Sequence, residues 1–221
     1  MKKPIALLFL FMIAGITQAQ QAKFQPEWAF GGNAGATFSK MRFYPNVPQD
    51  MLTQATIGLT ARYISESNFG LQVELNYAQR GWKERTDTLL HLNEYSRRID
   101  YLELPVMTHI YFNLGSRVRL VFNLGPQIGF QIGNKNNSKK VINTPDGSYD
   151  SYYDKPVERP FDYGIAGGGG LEIRTGLGRF VLEGRYYFGL SDAFNNGKSD
   201  PFQSSGNQVL TTKLTYFYRT R

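Results

Sequence analysis

Nothing constrains this chain more than a two-residue rhythm that recurs along it in segments about ten residues long. In the stretch FGLQVELNYAQRGW, Phe69, Leu71, Val73, Leu75 and Tyr77 are apolar. The interleaved Gly70, Gln72, Glu74, Asn76, Ala78 and Arg80 are small, polar or charged. Successive side chains of a strand point to opposite faces, so the stretch is a strand with one greasy and one wet face. In a soluble sandwich the greasy face meets a protein core. In a membrane barrel it meets lipid, and the wet face turns inward.

The alternation returns in Trp28–Phe38, Ala55–Tyr63, Leu102–Phe112, Val118–Phe130, Phe161–Leu171, Phe180–Phe188 and Leu210–Tyr218, about eight strands in all. Each is close to the length that a tilted strand needs to cross a bilayer. No segment beyond the N-terminus carries a helical period. Short links fall at Ser65–Asn68, Asn113–Ser116 and Thr175–Gly178, and long ones at Lys40–Gln54, Lys83–Arg98, Gly133–Pro160 and Ser191–Gly206. Long and short therefore alternate strictly. A sandwich with Greek-key connections gives no reason for this. An up-and-down outer-membrane barrel does: its turns are short on the periplasmic side and its loops long outside. The expected fold is all-β, an eight-stranded antiparallel up-and-down transmembrane β-barrel whose N-terminus is periplasmic and whose first link is external.

The N-terminus agrees with export. MKKPIALLFLFMIAGITQAQ has a basic start, an apolar run too short to span a membrane comfortably, and a small-residue end at Ala19. The expected organisation is a cleaved signal peptide over residues 1–19, a leader over 20–27 and the barrel over 28–221. With no cysteine, thiolate metal sites, cysteine nucleophiles and an N-terminal lipidated cysteine are excluded. The net charge of +7 is scattered rather than striped, which argues against nucleic acid as a partner.

A barrel of eight strands is just wide enough for its own side chains to fill it. The candidate site residues are this inward fill, a polar plug of Arg62, Glu74, Arg80, Glu103, Arg119, Glu172, Glu183 and Arg185, with His109 and Lys213 on the same faces. Charges held away from water need partners, and both signs are present on neighbouring strands. Register across the first short turn puts Arg62 near Gln72 and Glu74. Glu183 and Arg185 face the glycine-rich strand, whose missing side chains leave room for long ones.

Enzyme chemistry finds little support. His91 sits in a long loop near Asp87 and Glu94 without a nucleophile. Glu103 and His109 share a face, but six residues of strand put them about 20 Å apart, far beyond the hydrogen-bond contact that a base and its orienting group require. No catalytic residue, metal site or cofactor is expected. GIAGGGG lacks the helix and the Lys-Ser/Thr ending of a phosphate loop. Asp146, Asp150 and Asp154 lack the alternate-residue spacing of a calcium loop, although Tyr149, Tyr152 and Tyr153 beside them suit a contact surface.

Five stretches, ELNYAQRGW, YLELPVMTHIYF, NLGPQIGF, FDYGIAGGGGLEI and LEGRYYFGLSDAF, stand in order on the expected strands and cover nearly the whole mature chain. Together they resemble the PorT-like outer-membrane β-barrel family of Bacteroidetes. The resemblance implies an eight-stranded outer-membrane barrel, no settled activity, and a link to protein secretion through the founding member. It also implies a terminal aromatic for barrel assembly, here Phe217 or Tyr218. The expected role is structural or interactive, as an accessory of a secretion or other envelope complex. The alternatives are a small porin-like or ligand-binding barrel and, more weakly, a lipid-modifying enzyme. Expected partners are outer-membrane lipid and an envelope protein; Lys83, Arg85, Arg97, Arg98, Lys135, Lys139 and Lys140 in the external loops read first as a solvated surface, with pairing to lipopolysaccharide phosphates as the alternative.

Overall fold

The computed structural model describes residues 24–84, 94–139, 156–197 and 202–218. The expected signal peptide, the first half of the leader, His91, and the aspartates and tyrosines of 146–154 lie outside these residues. The strands are β1 (Glu27–Tyr44), β2 (Gln49–Asp50), β3 (Leu52–Glu66), β4 (Phe69–Glu84), β5 (Glu94–Asn113), β6 (Val118–Lys139), β7 (Phe161–Arg174), β8 (Gly178–Gly189) and β9 (Ser204–Tyr218). The eight long strands pair antiparallel with their chain neighbours, and β1 pairs with β9, for example Gly35 with Lys213, so the sheet closes on itself. The two-residue β2 adds to the free end of β4 within the first long link.

The strands are longer than the alternation suggests, from 12 residues in β8 to 22 in β6. A bilayer crossing takes about 9–11 residues, so the surplus carries the barrel past the membrane at the long-loop end. Much of Lys40–Gln54, both ends of Lys83–Arg98 and the start of Gly133–Pro160, expected as loop, are therefore strand. The two-residue period continues there, but aromatic residues replace polar ones on the inward face and the polarity contrast disappears. The short turns stay short. Asn68, at φ 73°, turns the chain between β3 and β4. It takes that left-handed conformation with little penalty because its side-chain amide donates to the carbonyl of Tyr111 at 2.7 Å.

The two faces sort as the alternation requires. Leu59, Leu71, Leu75, Leu104, Leu124, Leu182 and Leu214 point outward and are exposed, a continuous apolar belt unlike the surface of a water-soluble monomer. Their neighbours Arg62, Gln72, Glu74, Glu103 and Asn123 point inward and are buried. The lumen is not uniformly polar. Ala29, Ile64, Tyr111, Val121, Val181 and Phe217 form an apolar layer near the short turns. Met41, Phe43, Trp82, Tyr95, Ile99, Tyr101, Phe194 and Phe202 form another at the long-loop end.

Candidate functional site

Five cations and five carboxylates occupy the lumen: Arg62, Arg80, Arg119, Arg185 and Lys213 against Glu74, Glu103, Asp162, Glu172 and Glu183. They come from seven different strands and are stacked along the barrel axis. Nearest the short turns, Glu172 on β7 takes Arg62 from β3 at 2.6 Å and Arg119 from β6 at 3.3 Å. Arg62 also donates through Nε to Gln72 at 2.8 Å, and its guanidinium carbon sits 4.1 Å over the Phe217 ring.

In the middle, Glu74 on β4 accepts from Arg185 Nη1 and Nη2 at 3.0 and 2.8 Å and from Lys213 Nζ at 2.6 Å. The amides of Gln72 and Asn76 complete its shell at 2.6 and 2.9 Å. Glu183 sits across from it, holding Arg185 at 2.9 Å and the Asn123 amide at 3.0 Å. Toward the long loops, Arg80 bridges Glu103 at 2.5 Å and Asp162 at 2.9 Å, and its guanidinium lies against the rings of Tyr187 and Tyr101. Tyr187 and Ser191 donate to Asp162 at 2.9 and 2.6 Å. Every carboxylate thus meets a cation, as groups this far from water require.

Local sequence makes the space. Arg185 and Glu183 on β8 stand opposite Gly168 and Gly170 on β7. A Cβ on Gly168 would lie 2.2 Å from the Gly184 carbonyl oxygen, and one on Gly170 would lie 2.1 Å from that of Leu182. The strands approach too closely at these inward positions for any side chain. An interior cavity bordered by Arg80, Glu103, Arg185 and Lys213 measures about 20 Å³, room for about one water.

The structure turns all eight expected site residues into the lumen and gives each an ion-pair partner, with a different pairing at one point. Arg62 reaches Gln72 but not Glu74; it crosses the lumen to Glu172. Glu74 belongs to Arg185 and Lys213, since in a closed barrel strands distant in sequence meet across the axis. Asp162 was absent from the expected set, although it lies on the polar face of its strand opposite Phe161 and Tyr163. Arg97, expected in an exposed loop, is an inward residue of β5 and is buried against Trp82 and Phe194. Lys83 and Lys135 are exposed, Arg98 pairs with Asp100 at 3.0 Å, Lys139 ends β6, and Arg85 and Lys140 lie outside the described residues.

The aromatic layer closes the long-loop end over this network. Phe43 stacks on Phe202 at 4.3 Å and meets the edge of Trp82 at 5.2 Å. His109 bonds Asn123 through Nδ1 at 2.8 Å and stacks on Tyr111. Its Nε2 has no partner among the described residues. At the chain's end Phe217 turns inward and Tyr218 outward, so Tyr218 is the aromatic offered to the surroundings.

Comparison with curated proteins finds no match. Among solved structures, the Yersinia pestis attachment protein Ail, crystallised with the heparin analogue sucrose octasulfate, is 14% identical. That match covers 87% of this chain and 99% of Ail at a TM-score of 0.42. Neisserial surface protein A is 12% identical over 85% of this chain and 96% of its own, with a TM-score of 0.41. The N-terminal barrel of Pseudomonas aeruginosa OprF is 8% identical over 85% and 97%, with a TM-score of 0.37. Residues 18–195 match the family model described as outer membrane protein beta-barrel domain. With an apolar belt outside, a closed antiparallel sheet and most of its length matched, the chain belongs to the outer-membrane protein β-barrel domain family.

Proposed function

We propose that this protein is a closed outer-membrane barrel that acts through its surfaces rather than its lumen, as a structural or interaction component of the cell envelope. The observation that carries this reading is the filled interior, with three tiers of ion pairs, an apolar layer toward each end and space for about one water. A lumen held shut by buried pairs offers no path for solute, because opening it would strand charges without partners. The barrel is oriented with its N-terminus and short turns in the periplasm and its long links outside. It is no enzyme on this reading, because His109 is committed to Asn123 and packed in the lumen rather than set beside a nucleophile.

The PorT-like resemblance makes an accessory of a secretion complex in a Bacteroidetes envelope the preferred role. Chemical crosslinking followed by purification from native membranes tests it. A stoichiometric protein partner, recovered from independent preparations, is the expected result. A lone barrel that hydrolyses or transfers lipid acyl chains after purification would overturn the reading.

A further inference from the structure

The charges in the lumen balance, but those at its short-turn mouth do not. Arg117, Arg174 and Arg179 gather around a cleft of about 300 Å³ that Ser116, Thr175 and Gly178 complete. Glu27 pairs with Arg179, while Arg117 and Arg174 form no ion pair among the described residues. The nearest interior carboxylate, Glu172, is already shared by Arg62 and Arg119.

Chain geometry forces these cations together. The Arg174 amide donates to the Arg117 carbonyl at 2.8 Å, and Arg174 and Arg179 stand directly opposite each other on β7 and β8. Like charges at facing positions repel. Continuing the alternation from the inward-facing Glu172 and Val181, Arg174 and Arg179 turn toward the lumen rather than the lipid. Arg174 Nε and Arg179 Nη1 are shielded from solvent, yet neither has an acceptor. A shielded donor without an acceptor keeps the full cost of its desolvation.

We propose that this mouth is a binding site for a phosphate-class oxyanion, held by the acceptor-less guanidinium donors of Arg174 and Arg179 with Arg117 at the rim. Guanidinium donors match the oxygens of phosphate two at a time, and such charge-assisted bonds are the strong ones. The anion supplies the missing acceptors and offsets the repulsion between the arginines. The cleft admits a phosphate or a small phosphorylated group and is too small for a folded partner. Two sources share this chemistry: a free phosphate compound in the aqueous phase, and a lipid headgroup reaching over the rim.

The test follows the arginine Nε–Hε NMR signals of the whole protein in phosphatidylcholine nanodiscs, the Arg174 signal being assigned by its loss in Arg174→Gln. Inorganic phosphate should shift that signal saturably. In Arg117→Gln/Arg174→Gln, read through Arg179, binding should weaken by about tenfold or more, as expected for lost charge-assisted bonds. Lys135→Gln, at the opposite end of the barrel, should bind as the parent does. Arg174→Lys keeps the charge without the fork and should fall between, and each spectrum reports whether its variant is folded. A shift seen only when phosphatidylglycerol replaces phosphatidylcholine, and not with inorganic phosphate, supports the site with a headgroup as its source. A parent that responds to neither probe, or a double variant that binds as tightly as the parent, overturns the proposal.

Discussion

Replacing Glu74 by alanine removes the acceptor of six short polar contacts, from Gln72, Asn76, Arg185 and Lys213. Arg185 keeps Glu183 at 2.9 Å, but Lys213 is left with the same carboxylate at 3.8 Å, so two buried cations share one anion. Breaking a buried pair costs about 3–5 kcal/mol, and the surviving Glu183 places this case near 3. Urea unfolding of the lipid-reconstituted barrel, followed by the fluorescence of Trp28 and Trp82, reads the loss. With a denaturant slope of about 2–3 kcal/mol per molar, the midpoint should fall by about 1 M. Lys213→Ala in the same background then removes the stranded cation. The double variant should therefore be more stable than the sum of the single changes predicts, by about 1 kcal/mol or more. A single-variant cost under about 1 kcal/mol, or simple additivity, would refute the paired network.

Leu75 faces the surroundings at mid-strand, so Leu75→Arg should impair assembly at a cost of about 2–4 kcal/mol, while Glu66→Arg beside a short turn should assemble normally; heat-modifiable gel migration distinguishes them. Gly168→Ala should destabilise by about 1–3 kcal/mol because the new methyl meets backbone, whereas Gly184→Ala, with open space at its outward position, should stay within about 0.5 kcal/mol of the parent in the same urea assay. In a chain without native cysteine, an impermeant maleimide on intact cells should label Lys139→Cys and spare Thr175→Cys; the reverse pattern would refute the orientation.

The barrel was legible because two independent signals in the sequence agree: face alternation within strands and length alternation between them. The inward charges were legible for the same reason, since parity alone puts Glu74, Glu183 and Arg185 on the wet face. Which cation meets which carboxylate was not. Alternation fixes a face and a short turn fixes one register, but Arg62 and Glu172 meet across the lumen, and that distance depends on closure of the whole ring. The aromatic layer was missed because Phe43, Trp82 and Tyr95 keep the inward parity while reversing its polarity. Strand ends rich in aromatics therefore read as loop. The arginine mouth was hidden differently, because Arg117, Arg174 and Arg179 flank two separate short links, and Arg117 reaches the other two only through the β6–β7 pairing across a long loop.

Planar-bilayer recording from the purified, refolded protein tests the closed lumen most directly. The packed ion pairs and the aromatic layer predict membranes that stay at baseline, with no steady unitary current at any holding potential the bilayer tolerates. A reproducible conductance of fixed size, absent from mock-refolded controls, would contradict the closed barrel and make the lumen a pore.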